Sequence, residues 1–179
     1  MRARMTGVLA VAAVVCLASA PAFAQKVTKQ DVAGIRNFAR VETTVACGGT
    51  ISAEAMPEVK NMGFKAIVNL RMASEPGANV EQEAAAAKAA GLNYVHIPFN
   101  SQAPDAKQVD TFLATIVKGD ISPAYIHCGG GPRAAMMWMV KRLVIDKWET
   151  DKAVAEATEL GLTVVSLKEF ALAYASAHK

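Results

Sequence analysis

Between residues 52 and 145, short apolar runs alternate with stretches of helical character, and this alternation constrains the fold more than any other feature. Ser52 can cap a helix running to Met62, with Gly63 as its left-handed stop; residues 65–70 then read as a buried strand ending at Arg71. Asn79 and Gln82 form a capping box for an alanine-rich helix that stops at Gly91, and residues 94–99 make the next strand. Pro104 suits the first turn of a helix reaching Val117, and residues 124–127 form the strand after it. Strands separated by helices pair in parallel, with the helices laid on the faces of the sheet. Upstream, residues 37–45 mix apolar and polar side chains as short antiparallel strands do. The expected fold is α/β: a central, mainly parallel sheet flanked by helices, with a short N-terminal antiparallel addition.

The N-terminus has a different character. Arg2 and Arg4 precede an apolar stretch from Val8 to Leu17, and Ala22, Phe23 and Ala24 make a small-residue cleavage site before Gln25. Residues 1–24 therefore read as a signal peptide. A membrane anchor needs about 20 apolar residues, and this run meets Ser19 and Pro21 first. Cleavage removes Cys16 and two arginines but no acid from a chain of nineteen cations and sixteen acids, leaving a net charge of +1. Neither a nucleic acid nor a membrane is implied as a partner after signal removal. The expected location is periplasmic or secreted. Residues 25–33 form a polar lead-in, and residues 34–179 suffice for one ordinary core.

The chemistry concentrates where the strand 124–127 ends. There stand Cys128, Gly129, Gly130, Gly131, Pro132 and Arg133, followed by a strongly apolar helix from Ala134 to Ile145. Ligands of open parallel sheets bind beyond the carboxyl ends of the strands, and a glycine-rich turn leading into a helix presents backbone N–H groups to an anion. A thiol facing the positive end of a helix, with a guanidinium five residues on, is drawn toward its nucleophilic thiolate form. Glycines let the backbone curl around an oxyanion, and the planar fork of Arg133 matches two oxygens of a phosphate-like group.

Ile126, His127 and Cys128 through Arg133, with residues 66–71 (Ala-Ile-Val-Asn-Leu-Arg) upstream, resemble the cysteine-dependent dual-specificity/tyrosine phosphatase-like superfamily, most closely its small bacterial beta-lactamase-hydrolase-like phosphatase-domain branch. The resemblance implies a cysteine-phosphatase-like fold and a hydrolase working through a phosphocysteine intermediate. Carried over, Cys128 is the nucleophile. Gly129, Gly130, Gly131, Arg133 and Ala134 form the phosphate cradle, and His127 positions the cysteine. An aspartate on a separate loop is the family's general acid; Asn100 follows the strand here, which makes Asp105 the candidate. Three further departures stand out: four residues rather than five separate Cys128 from Arg133, Pro132 offers no N–H, and Ala134 replaces a common hydroxyl residue.

Arg71 ends a strand at the edge where sites form, as a candidate support. Cys47 is a candidate redox partner of Cys128, with a packed thiol as the alternative. Asp110 reads as a solvated charge and His96 as a hydrogen-bonded histidine. Met136, Met137 and Met139 point in different directions around one helix, so they read as core rather than copper ligands, and no metal or cofactor is expected. Toward the C-terminus, Thr150 can cap a helix that stops at Gly161, and Ser166 with Glu169 boxes the last one. The expected substrate is a phosphorylated or other oxyanionic group on a small molecule or protein. The alternatives are a rhodanese-like sulfurtransferase using a Cys128 persulfide, which the short loop suits, and a catalytically degenerate anion-binding module.

Overall fold

The computed structural model describes residues 26–178; the expected signal peptide over 1–24 lies outside the described residues. Six strands form one sheet: β1 (Val27–Lys29), β2 (Ala39–Val41), β3 (Val45–Gly48), β4 (Ala66–Asn69), β5 (Asn93–His96) and β6 (Ala124–His127). Their order is β1-β2-β3-β6-β4-β5. The pairs β1/β2 and β2/β3 are antiparallel, whereas β6 lies parallel between β3 and β4, and β5 is parallel to β4. The strand β6 is thus central, and its carboxyl end is flanked on both sides.

The helices are α1 (Met56–Asn61), α2 (Val80–Ala89), α3 (Ala106–Ile116), α4 (Pro132–Val144), α5 (Thr150–Glu159) and α6 (Val165–Ala177). Strand alternation sorts side chains between the faces of the sheet. Val45, Cys47, Ala66, Val68, Ala124 and Ile126 point toward α3 to α6, whereas Ala46, Ile67 and Tyr125 point toward α1 and α2. In α4, residues 134–140 are buried without interruption, as expected for a helix that is apolar all round. Met136, Met137 and Met139 are therefore core. Each large apolar side chain buried this way contributes about 1.5–3 kcal/mol.

Several expected boundaries shift. Residues 27–29, assigned by sequence to the lead-in, form β1; its side chains stay partly or fully exposed, so its backbone pairing with β2 leaves no apolar period to read. Ser52 precedes a short 3-10 turn, Ala53–Ala55, and Asn79 precedes α2, but neither side chain makes a capping bond. Thr150 and Ser166 lie inside their helices. Pro104 stands ahead of α3, whose cap is Asp105, with its carboxylate accepting from Lys107 N–H at 2.9 Å. Asp110 is exposed, as expected for a solvated charge, and also accepts a hydrogen bond from the Tyr174 hydroxyl that ties α3 to α6.

Among the described residues, no helix is long and apolar enough to cross a membrane, and no three His, Cys, Asp or Glu side chains are grouped to hold a metal ion.

Candidate active site

The two residues that end β6 and begin the next loop have opposite orientations because side chains alternate along a strand. Cys128 turns to the α4 face and is 2% exposed, at the floor of the loop. His127 turns to the other face, where its ring stacks on Tyr125 with 5.7 Å between centroids. Its Nε2 approaches Glu83 Oε1 of α2 to 2.5 Å. That is ion-pair reach at an angle outside hydrogen-bond geometry, so Glu83 Oε1 and both imidazole nitrogens have no well-aligned partner. Glu83 Oε2 accepts from Asn69 Nδ2 at 3.3 Å, and Asn69 Nδ2 also reaches the Tyr94 hydroxyl at 2.8 Å. Burial pushes that hydroxyl up to about 12, so it stays neutral in this network. Around Cys128 it is the backbone that is paired: the His127 carbonyl accepts from Leu70 N–H at 2.9 Å, and Cys128 N–H donates to Gly48 O at 3.2 Å.

Beyond Cys128 the chain curls back over the sulfur. Gly131 N–H donates to Cys128 Sγ at 3.1 Å, and Gly131 has φ +119°, a region essentially reserved for glycine. The helix α4 starts at Pro132, so Arg133 and Ala134 carry first-turn N–H groups with no acceptor inside the helix. These amides and the positive end of the helix face the loop that holds the sulfur.

Arg133 does more than offer a fork. Its Nη1 donates to Leu70 O at 3.2 Å, Phe99 O at 2.9 Å and Glu75 Oε1 at 2.6 Å, while Nη2 donates to Glu75 Oε2 at 2.8 Å. Glu75 is a partner of Arg133 that the sequence hides: it sits in an irregular turn without periodicity, where the only cue is a carboxylate four places after Arg71. Arg133 holds the Glu75 carboxyl down at about 2, against the cost of burial. Burial in turn works against the Arg133 charge, but Glu75 and the Cys128 sulfur more than offset it and raise the guanidinium pKa.

Arg71, 6% exposed, braces the same turn by donating to Gly77 O at 2.9 Å and Pro76 O at 2.6 Å. Its Nε lies 3.5 Å from Glu75 Oε2 without hydrogen-bond alignment. His96 Nε2 contacts Arg71 O at 2.7 Å. Two guanidinium groups against one carboxylate leave this corner with surplus positive charge.

The structure thus brings together Cys128, Gly131, Arg133 and Arg71 with Glu75. Asp105 is exposed, and its described hydrogen bond goes to its own helix. Cys47 is completely buried and, like Cys128, a free thiol. Burial, then the negative charges of Glu156 and Cys128, push the Cys47 thiol well up. Cys47 is registered with Ile126, so Cys128 lies diagonally beyond it; standard strand spacing puts the two Cα atoms about 8 Å apart. A disulfide would require backbone movement, because it spans less than about 7 Å. A cavity of about 500 Å³ opens beside the loop, bounded by Lys29, Asn37, Gly130, Pro132, Gly161 and Thr163.

A mainly parallel sheet with a buried cysteine at the end of its central strand, and an arginine in the first turn of the helix that follows, defines the cysteine-phosphatase-like class of α/β proteins. Solved structures with this fold include a DUF442 protein from Shewanella putrefaciens CN-32, 22% identical with TM-score 0.67, covering 80% of this chain and 93% of that one. Tk-PTP in its active form is 18% identical with TM-score 0.64, covering 82% and 99%. TpbA of P. aeruginosa in complex with pTyr is 17% identical with TM-score 0.59, covering 89% and 90%. A search of curated protein sequences matches nothing. The family described as DSP-PTPase phosphatase fused to NAD+ kinase matches residues 16–169, and the chain belongs to it. It is a tyrosine/dual-specificity phosphatase-like hydrolase.

Proposed function

We propose that the protein hydrolyses phosphoesters through a phosphocysteine intermediate. The observation that carries this reading is the meeting of three groups on one loop: the Cys128 sulfur, the Gly131 N–H at 3.1 Å from it, and the Arg133 guanidinium fixed in place by Glu75. The Cys128 thiolate attacks phosphorus, forming an S–P bond as the ester P–O bond breaks. Arg133 and the loop amides stabilise charge on the equatorial oxygens. The leaving oxygen takes a proton from Asp105 or from water. A second water then cleaves the S–P bond, releasing phosphate and restoring the thiol. The rest of the substrate has room in the cavity beside Gly130 and Pro132. Complex formation of TpbA with pTyr supports an aryl phosphate as a first substrate, and residues 1–24 support action after export.

Hydrolysis of a simple aryl phosphate by the reduced protein, beside Cys128→Ser, tests the reading. Turnover that disappears in Cys128→Ser is the expected result; absence of turnover in the reduced wild type overturns it. The short Cys128-to-Arg133 loop and the Asp105 bond to its own helix favour one second reading, sulfur transfer through a Cys128 persulfide, which needs no general acid. Thiosulfate-dependent conversion of cyanide would show it.

A further inference from the structure

The orientation of one peptide in the cradle is set from outside it, by a backbone bridge between Gly130 and Gly49 and by the side chain of Asn37. Gly129, Gly130 and Gly131 give the loop its curl, but a glycine pair sets little barrier against rotation of the peptide plane between them. A trans peptide is planar, and its C=O and N–H point in opposite directions. If the plane joining Gly130 to Gly131 rotated by half a turn, the Gly130 carbonyl oxygen would face Cys128 Sγ in place of the Gly131 N–H. An oxygen dipole there would repel a thiolate.

The outer edge of that plane is held. Asn37 Nδ2 donates to Gly130 O at 2.9 Å, across 93 positions of sequence. On the inner edge of the same peptide, Gly131 N–H reaches Cys128 Sγ at 3.1 Å. Asn37 is itself fixed. It has φ +53°, a left-handed conformation that asparagine tolerates better than most residues. Its neighbour Arg36 is bound on both sides, donating to Thr50 O at 3.0 Å and accepting from Gly49 N–H at 2.7 Å. Gly49 lets this segment lie against the loop, because a Cβ there would stand 3.0 Å from both Gly129 O and Arg36 Cβ.

We propose that Asn37 is a positioning residue for the nucleophile: by anchoring the Gly130 carbonyl outside the loop it turns the Gly131 N–H onto the Cys128 sulfur and favours the thiolate. This inference deepens the phosphocysteine reading and rests on it for its use in catalysis, but the arrangement of the thiol can be tested without any substrate.

The test is the ultraviolet thiolate absorbance of the reduced protein as a function of pH, with Cys128→Ser as the blank. Burial keeps the other thiol, Cys47, protonated and silent. Two variants remove the donor: Asn37→Gly keeps the left-handed backbone without strain, and Asn37→Asp keeps the size but presents only an acceptor to Gly130 O. Arg133, Glu75, Cys47 and Tyr125, the other titratable or charged groups around the sulfur, are unchanged in both. The expected result is that half-formation of the thiolate moves up by about one pH unit in each, the effect of losing one charge-assisted hydrogen bond, while circular dichroism stays that of the folded protein. A folded variant that titrates like wild type overturns the proposal. If neither variant folds, nuclear magnetic resonance of the wild type decides: the Gly131 N–H and the Asn37 side-chain amide must shift together as Cys128 ionises, and a Gly131 shift without Asn37, or neither shifting, overturns it. Thiolate control by Asn37 without phosphoester turnover would sink the hydrolase reading and leave this one standing; turnover without Asn37 dependence would do the reverse.

Discussion

Glu75 grips Arg133 with both carboxylate oxygens, Oε1 2.6 Å from Nη1 and Oε2 2.8 Å from Nη2. Paired forks of this kind fix a guanidinium in plane and in angle, where a single contact would leave it free to swing. Glu75→Gln keeps the shape but loses the charge and one acceptor. Aryl phosphate turnover should fall about ten- to hundredfold, as expected when a catalytic group drifts by a fraction of its contact distance. Steady-state kinetics on the variant checks this, and an unchanged kcat would mean that the Leu70 and Phe99 carbonyls alone hold Arg133.

The same pair gives a pH dependence with a definite sign. Glu75 is held at about 2 in the folded protein against an ordinary value of 4.5, first by Arg133. A depressed carboxyl stabilises the fold fully above its unfolded value and loses that contribution as pH falls toward the folded one. The stability gap between wild type and Glu75→Gln, measured by urea unfolding, should therefore be widest above 4.5 and close as the pH approaches 2.

Asp105 has two roles to separate. Its carboxylate accepts from Lys107 N–H and so caps α3. Asparagine caps as well as aspartate does, but alanine does not, at a cost of about 1 kcal/mol. Asp105→Asn should match the wild-type melting temperature and Asp105→Ala should melt lower. A turnover loss shared by both variants assigns proton donation to Asp105, whereas a loss in the alanine variant alone assigns it only the cap.

Gly131 and Gly48 should resist alanine for different reasons. At Gly131 a Cβ meets nothing nearer than 3.7 Å, but φ is +119°, so the penalty is backbone strain of about 1–3 kcal/mol. At Gly48 a Cβ would lie 2.6 Å from the Tyr125 hydroxyl oxygen and 3.1 Å from Arg36 O, so the penalty is crowding. Adding Tyr125→Phe should recover part of the loss in Gly48→Ala and none of it in Gly131→Ala, as read by denaturant midpoints.

The sequence carried the parallel core of the sheet well, because strands buried on both faces appear as plain apolar runs. The apolar run 124–127 marks the strand that β6 forms, and the helix-stop glycines Gly63, Gly91 and Gly161 all have positive φ. Cys128 and Arg133 were legible as a site because glycine-rich backbone and a guanidinium have few reasons to meet at a strand end. Glu75, Glu83 and Asn37 were not, since each acts through contacts made across the fold from turns or helix faces whose composition is ordinary. The edge strand β1 escaped for the opposite reason: its pairing is all backbone, and backbone leaves no mark on composition.

Arg133 Nη1 gathers the carbonyls of Leu70 and Phe99 and the carboxylate of Glu75. Those acceptors belong to two separate stretches of chain, the β4–α2 connection and the segment after β5, so the guanidinium is a rivet as well as a reagent. Mutational scans of this protein will therefore overstate the chemical share of Arg133: an alanine there unfastens the chain segments packed around the Cys128 loop at the same moment as it removes a positive charge. A lysine at 133 keeps a charge but not the planar fork, and the gap between the lysine and alanine variants is the part of the deficit that belongs to charge.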